Sequence, residues 1–341
     1  MVELLKLREQ AFKLANSKYK VGNTDFTQYS GIYLASTSNT KKMMELYKDA
    51  RTVLAEGSTG AIGYEALLNG AVKVDLFDIN ELQRLFFLYM KTAIEVLSYE
   101  DFIKHFTLKE QYTMMPKDKI KDLLSNELYE KLRFYLDDDV EFVFGPLFDY
   151  FYSSDLILSG LFRFEHPINI DYLKRTVSFY NEEEYYKLQK ILRQENVEMN
   201  YYTCSLTDVP AIFDEQYDLI ALDNILQTYQ KIKGIETVYE TNRFVDKKLG
   251  KLLTDDGVIQ AAYGFEIATD ALKETLKIPF DKNFSNDNPI SRYAIKEDMK
   301  NGICSGLIKK WDHYSYDFIE GVEENNGIIS DNVVLTYKKR K

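Results

Sequence analysis

Apolar residues recur at helical spacing near the start of the chain, where Leu4, Leu5, Leu7, Phe12 and Leu14 form a rough stripe. Met43, Met44 and Leu46 begin a second stripe, and the Ser/Thr/Asn/Gly-rich stretch from Gly22 to Asn39 between them reads as an irregular loop. From Thr52 the pattern shortens. An apolar strand, Thr52 to Ala55, runs into Gly57-Ser58-Thr59-Gly60-Ala61-Ile62-Gly63. A helix carrying Ala66, Leu67 and Leu68 follows and stops at Asn69-Gly70. A second strand, Val72 to Phe77, ends at Asp78-Ile79-Asn80, and a long apolar helix runs from Glu81 to about Leu97. Strand, glycine turn, helix, strand and acid make one βαβ unit, right-handed by the general rule.

Residues 100–196 carry helical periodicity without a convincing strand, and aromatic residues crowd there, among them Phe144, Phe148, Phe162, Phe179, Tyr180 and Tyr185. Strands resume at Val197 to Cys204, Tyr217 to Leu222 and Val258 to Tyr263, and the tail from Ile328 to Tyr337 reads as two short strands around Asp331-Asn332. The expected organisation is an N-terminal helical segment (1–50), an α/β core made of 51–99 and 197–341, and a mostly helical insertion, 100–196, that would bind an acceptor. A structureless loop of that length is improbable inside a domain, whereas a helical subdomain is not. Plain packing is the default role of its aromatic rings.

Composition removes several classes. The 43 basic and 54 acidic side chains leave a net charge of −11, which argues against nucleic acid as a partner. No apolar run reaches the ~18 residues of a transmembrane span. The first twenty residues mix charged and apolar positions, unlike a secretory signal. Two cysteines, Cys204 and Cys304, provide neither a zinc quartet nor a disulfide framework, so the expected location is cytoplasmic. The 26 Tyr and 21 Phe, against 16 Gly and 6 Pro, describe a stiff, helix-tolerant chain.

The glycine turn holds the clearest chemistry. Glycine lets the backbone approach a ligand closely, and the following helix offers it free N–H groups. An acid ending the next strand can accept hydrogen bonds from both ribose hydroxyls of a nucleoside. Asp78 follows Gly60 by 18 residues, near the ~20 of that geometry. The plainer alternative is a turn used only for helix–sheet packing, with Asp78 capping the long helix. A phosphate-binding P-loop is excluded because Tyr64, not Lys-Ser/Thr, follows Gly63. The pairs Tyr186/Lys190 and Tyr229/Lys233 have dehydrogenase spacing, yet arise by chance in so tyrosine-rich a chain.

Ser58-Thr59-Gly60 through Ala71, and then Asp78-Ile79-Asn80 with Gln83, resemble the S-adenosylmethionine:diacylglycerol 3-amino-3-carboxypropyl transferase (BtaA-like) family. That family has a Ser-Gly turn, an Ala/Leu-rich helix ending in Gly-Ala and an Asp-x-Asn-x-x-Gln element. Tyr180-Asn181-Glu182, Tyr217 to Ile220 and Asp223-Asn224-Ile225-Leu226 resemble its later blocks, so the likeness covers about 50–100 and 180–264. Lys251-Leu252-Leu253 with Gly257 resembles a turn common to S-adenosylmethionine-dependent transferases. Two departures stand out. The first strand lacks an acid unless Glu56 supplies it, and Ser205-Leu206 replaces the family's Asp-Leu after the third strand, with Asp208 nearby.

The resemblance implies a Rossmann-like class I S-adenosylmethionine-dependent transferase core, strand order 3-2-1-4-5, with a large helical insertion and a C-terminal antiparallel pair. It implies S-adenosylmethionine as cofactor, moving its 3-amino-3-carboxypropyl group, or alternatively its methyl group, to a small-molecule or lipid acceptor. The cofactor residues it implies are Glu56, Gly57, Ser58, Thr59, Gly60, Asp78, Ile79, Asn80, Gln83, Ser205, Leu206 and Asp223. Asp78 would hold the ribose, Ile79 would meet the adenine, and the turn would line the amino acid portion. Asp223 and Asn224 end the fourth strand, where acceptor and sulfonium meet in this topology, and are the expected catalytic residues. His166, in the insertion, is added as a proton-transfer candidate because imidazole titrates near neutrality. His105 reads as a surface or half-buried residue, and no His/Cys spacing supports a metal. An NAD(P)-dependent reductase and a non-catalytic nucleotide-binding protein are the competing readings. A lipid acceptor would bring the protein into peripheral contact with a membrane.

Overall fold

The computed structural model describes residues 2–17, 31–36, 38–108, 123–153, 160–163, 168–223, 225, 248–264, 314–319 and 332–338. The chain forms two compact units, Met1–Val209 and Pro210–Lys341.

The first unit contains, in chain order, α1 (Val2–Ala15), β1 (Ile32–Tyr33), α2 (Thr40–Glu45), β2 (Thr52–Glu56), α3 (Ala61–Leu68), β3 (Lys73–Asp78), α4 (Glu81–Val96) and α5 (Tyr99–Phe106). α6 (Asn126–Arg133), α7 (Asp138–Ser153), β4 (Phe162–Arg163), α8 (Ile170–Thr176), α9 (Glu182–Leu192) and β5 (Glu198–Thr203) complete it. β2 and β5 both pair in parallel with β3, which gives the order third-second-first across the core strands. Val53, Leu54, Ala55, Val74, Leu76 and Phe77 are all fully buried, as parallel strands covered on both faces require. β5 instead alternates exposed and half-buried positions, the mark of an edge strand.

Aromatic rings fill the space between α4 and the helices after it. Phe86 meets the rings of Phe106, Phe144 and Phe162 edge-on at 5.4–6.5 Å. Tyr89 lies against Phe106, Tyr129 and Phe148. The crowding read from the sequence is therefore core packing. Two features depart from the sequence reading. Short strands β1 and β4, at Ile32–Tyr33 in the supposed loop and Phe162–Arg163 in the supposed helical stretch, pair in parallel. His105 is not at the surface but completely buried, because it shares the apolar face of α5 with Phe102 and Phe106.

The second unit contains β6 (Tyr217–Ala221), β7 (Leu253–Gly264), β8 (Tyr314–Ile319) and β9 (Asn332–Lys338). β6 and β7 are parallel, β9 runs antiparallel to β7, and β8 runs antiparallel to β9. The order is fourth-fifth-seventh-sixth. The antiparallel pair was expected, but β9 starts at Asn332 and pairs with Tyr314–Ile319, farther back along the chain than the expected partner at 328–330, which lies outside the described residues. The fold is α/β and Rossmann-like in its strand order. Among the described residues no helix is long and apolar enough to cross a membrane.

Candidate functional site

β2 ends at Glu56, and Gly57 continues its ladder by donating its N–H to the Phe77 carbonyl at 2.7 Å. The chain then turns sharply, with the Gly60 N–H returning to the Gly57 carbonyl at 2.6 Å. Gly60 sits at φ +81° as the residue before α3, a left-handed position that suits glycine. Ser58 adopts φ +34°, so a non-glycine residue also holds left-handed backbone inside this turn. No side chain caps α3, which leaves its first-turn amides to other acceptors.

Space, as well as backbone angle, demands the glycines. A Cβ on Gly57 would fall 2.4 Å from Cζ of Tyr201, and one on Gly60 would fall 2.6 Å from Cδ2 of Phe87. Tyr201 stands on β5 in register with Leu76, packs on Phe87 with ring centroids 4.9 Å apart, and donates its hydroxyl to the Ser58 carbonyl at 3.3 Å. Burial first, and then the charges of Asp78, Glu56 and Glu81, hold its phenol well above the usual tyrosine range. Tyr201 is thus a neutral donor packed against the turn, next to three carboxylates. Tyr201 was expected on a strand but without a role, and nothing in its sequence neighbourhood marks it as the partner of the glycine turn.

Asp78 is half-buried at the end of β3, where its backbone carbonyl accepts the Cys204 N–H at 2.9 Å. Its Oδ1 accepts the N–H of Asn80 at 2.9 Å. Asn80, not Asp78, caps the long helix: its Oδ1 accepts from the Leu82 N–H at 3.2 Å, and its Nδ2 donates to the Gly31 carbonyl at 3.3 Å. Gln83 is buried and its amide pairs with the backbone of Tyr33, accepting at 2.8 Å and donating at 3.2 Å. Glu81 bridges from the first turn of α4 to the Thr203 hydroxyl on β5 and binds Arg84 at 2.6 Å. Ile79 is left 38% exposed, a rare state for an apolar side chain in this core.

After β5, the Ser205 hydroxyl donates to Oδ2 of Asp208 at 2.6 Å, and the Asp208 N–H returns to the Ser205 carbonyl at 3.0 Å. With the Ser205 N–H also reaching Oδ2 of Asp208 at 3.4 Å, these bonds close a tight turn ahead of the one-turn helix Val209–Ile212. Leu206 and Cys204 are buried beside it. The first unit therefore gathers Glu56 to Gly60, Asp78 and Ile79 at the same end of its parallel strands, with Ser205 and Leu206 just beyond β5. Asp223 lies in the second unit, buried directly after β6 at φ +39°. Asn224 and His166 lie outside the described residues. Among the described residues no cluster of His, Cys, Asp or Glu has the makings of a metal site.

No family model matches the chain, and no curated protein matches it. Solved structures similar to it include the O-methyltransferase from Bacillus cereus in complex with SAH, at 11% identity, 99% of this chain, 89% of that one and TM-score 0.33. Another is the N-methyltransferase NodS from Bradyrhizobium japonicum in complex with S-adenosyl-L-homocysteine, at 6% identity, 98% and 99% coverage and TM-score 0.38. A third is the ribosomal protein L11 methylase from Lactobacillus delbrueckii subsp. bulgaricus, at 9% identity, 89% and 75% coverage and TM-score 0.30. At these scores the likeness carries over neither ligand nor reaction.

Proposed function

We propose that this chain is an S-adenosylmethionine-dependent transferase. The observation that supports it most is the pairing of the Gly57–Gly60 turn with the Asp78 carboxylate at the ends of two adjacent parallel strands. Open parallel α/β sheets bind their ligands outside the carboxyl ends of the strands. The residues present fit such a cofactor at the start of α3, whose first amides are not capped by a side chain, while the space beside Gly57 and Gly60 is taken by the side chains of Tyr201 and Phe87. In this reading Asp78 accepts hydrogen bonds from the ribose hydroxyls, and exposed Ile79 gives the adenine an apolar face. The backbone from Gly57 to Gly60 receives the amino acid portion. Gln83 and Asn80 support the site through backbone contacts and do not touch the cofactor. Asp223 and Asn224, after the fourth strand, remain the residues expected to meet the acceptor, with His166 as a proton-transfer candidate in an acceptor-binding insertion.

When bound, the cofactor supplies a sulfonium that activates three carbons. Which group leaves depends on which carbon lies in line with the acceptor nucleophile. The Asp78-x-Asn80-x-x-Gln83 block favours the 3-amino-3-carboxypropyl group over methyl, since that block carries the family resemblance. The antiparallel closure of β9 against β7 argues against the reductase reading, whose closing strand runs parallel. Incubation with S-adenosylmethionine and small-molecule or lipid acceptors, with mass analysis of the nucleoside product, tests the proposal. Methylthioadenosine means that the amino acid arm left, and S-adenosylhomocysteine means that methyl left. Neither product, together with no heat of binding, refutes the transferase.

A further inference from the structure

The amide of Gln83 does for Tyr33 what a third strand would do. β1 and β4 form a parallel ribbon only two residues long on each side, joined further by the Ile32 N–H to the Leu161 carbonyl at 2.7 Å. So short a ribbon has no stability of its own. On its open side the side chain of Gln83 presents one acceptor and one donor, the same pair a peptide unit presents, to the N–H and carbonyl of Tyr33. Asn80 adds a second tie, to the Gly31 carbonyl, while its other amide atom caps α4 and its backbone N–H holds Asp78. One end of the ribbon is therefore fastened to the residues that set the position of the Asp78 carboxylate. The other side is anchored by apolar packing, with Ile32 and Phe162 fully buried and the Phe162 ring edge-on to Phe86 at 5.4 Å.

From this geometry we infer that the β1–β4 ribbon is a wall of the cofactor site, and that Gln83 is the positioning residue that fixes it to the acid-bearing turn. The inference rests on the transferase reading and deepens it. It gives the N-terminal segment and the helical insertion a shared place at the rim of the site, since β1 belongs to the first and β4 to the second. It also gives the Asp-x-Asn-x-x-Gln spacing a physical basis: the acid faces the ligand, while the amides two and five residues on, Asn80 and Gln83, hold the wall. Glutamate at 83 would keep the acceptor and replace the donor by an oxygen facing the Tyr33 carbonyl. Leucine would remove both.

The test measures two quantities on the full-length protein: hydrogen exchange at the Tyr33 amide, and affinity for S-adenosylhomocysteine by calorimetry. In Gln83→Glu and Gln83→Leu the inference expects Tyr33 exchange to accelerate at least tenfold and affinity to fall at least tenfold, with core amides of β2 and β3 still protected. Should these variants fail to fold, Asn80→Ser keeps a good helix cap and deletes the tie to Gly31; the same loosening with weaker binding is expected. Loosened exchange with unchanged affinity makes the clamp merely structural and overturns the inference, as does unchanged exchange. Wild-type protein that binds no S-adenosylhomocysteine refutes the transferase and this inference together, whereas binding that survives Gln83→Leu refutes this inference alone.

Discussion

The backbone N–H of Ser178 donates to Oε1 of Glu65, a carboxylate 113 residues earlier in the chain and 1% exposed. Its Oε2 has no hydrogen-bond partner. Glu65 lies on α3 immediately behind the glycine turn, so this contact ties the segment between α8 and α9 to the core. Burial raises its carboxyl to about 7 from an ordinary 4.5, against the lowering effects of Ser178 and, more weakly, Lys41; Glu184 adds to the rise. A raised acid binds its proton more tightly when folded. Its contribution to stability is therefore full below pH 4.5, declines as pH rises, and is lost above about 7. The full swing is on the order of 3 kcal/mol. Urea midpoints of wild type and Glu65→Gln at pH 5 and pH 8 check this: the wild type should lose relative stability at pH 8, and the variant should not.

His105 titrates with the opposite sign. Its Nε2 lies 2.5 Å from the Tyr89 hydroxyl in a fully buried aromatic cluster, and burial lowers its pKa to about 3 from 6.5. A depressed base resists protonation when folded, so its contribution is present above pH 6.5 and is lost as pH falls toward 3. Acid unfolding followed by near-ultraviolet circular dichroism should begin below pH 6 and shift to lower pH in His105→Phe. Tyr89→Phe leaves a buried ring nitrogen without its partner and should cost about 1–3 kcal/mol at neutral pH.

Gly57 and Tyr201 compete for one space. A methyl at 57 would lie 2.4–2.7 Å from three atoms of the Tyr201 ring end, which cannot withdraw without leaving Phe87. Gly57→Ala should destabilise by about 1–3 kcal/mol through overpacking. Tyr201→Phe keeps the ring and loses only the hydrogen bond to Ser58, worth about 1 kcal/mol. Adding Tyr201→Leu to Gly57→Ala should restore part of the loss, whereas adding Tyr201→Phe should not. Guanidinium denaturation of these four variants and of Tyr201→Leu gives the comparison, and additive losses in the Leu double variant would dismiss the shared space.

These residues also show what a sequence can disclose. The turn and its acid were legible because left-handed backbone at Gly60 and close packing at Gly57 leave few residue types able to serve. Strand and helix order followed from apolar periodicity, whereas the plainer alternative put the cap of α4 at Asp78, and it is supplied by Asn80. The Gln83–Tyr33 clamp was not legible, since a two-residue strand has no period and a backbone partner leaves no mark in side-chain chemistry. His105 was misjudged by residue type, although Phe102 and Phe106 on either side already placed it on the inner face of α5. The partner of β9 was misplaced because a strand is recruited by pairing, which distance along the chain does not reveal.

Asp78 allows charge and architecture to be separated at one position. Its Oδ1 accepts the Asn80 N–H at 2.9 Å, and Asn80 in turn caps α4 and holds Gly31. Asparagine at 78 retains a carbonyl oxygen for that N–H, so the start of α4 and the ribbon tied to it should stand. What it loses is the negative charge, and with it the second strong acceptor for a ribose diol. Hydrogen bonds to a charged group contribute about 1.5–3 kcal/mol, so affinity for S-adenosylhomocysteine should fall roughly 10- to 150-fold. Alanine removes the oxygen as well and should lower stability by about 1 kcal/mol in addition. Calorimetry paired with thermal melting distinguishes the two: Asp78→Asn should change binding and leave melting within a few degrees, and Asp78→Ala should change both. If Asp78→Asn binds as tightly as wild type, the carboxylate does not hold the ribose, and its place at the end of β3 is only that of a helix-start residue.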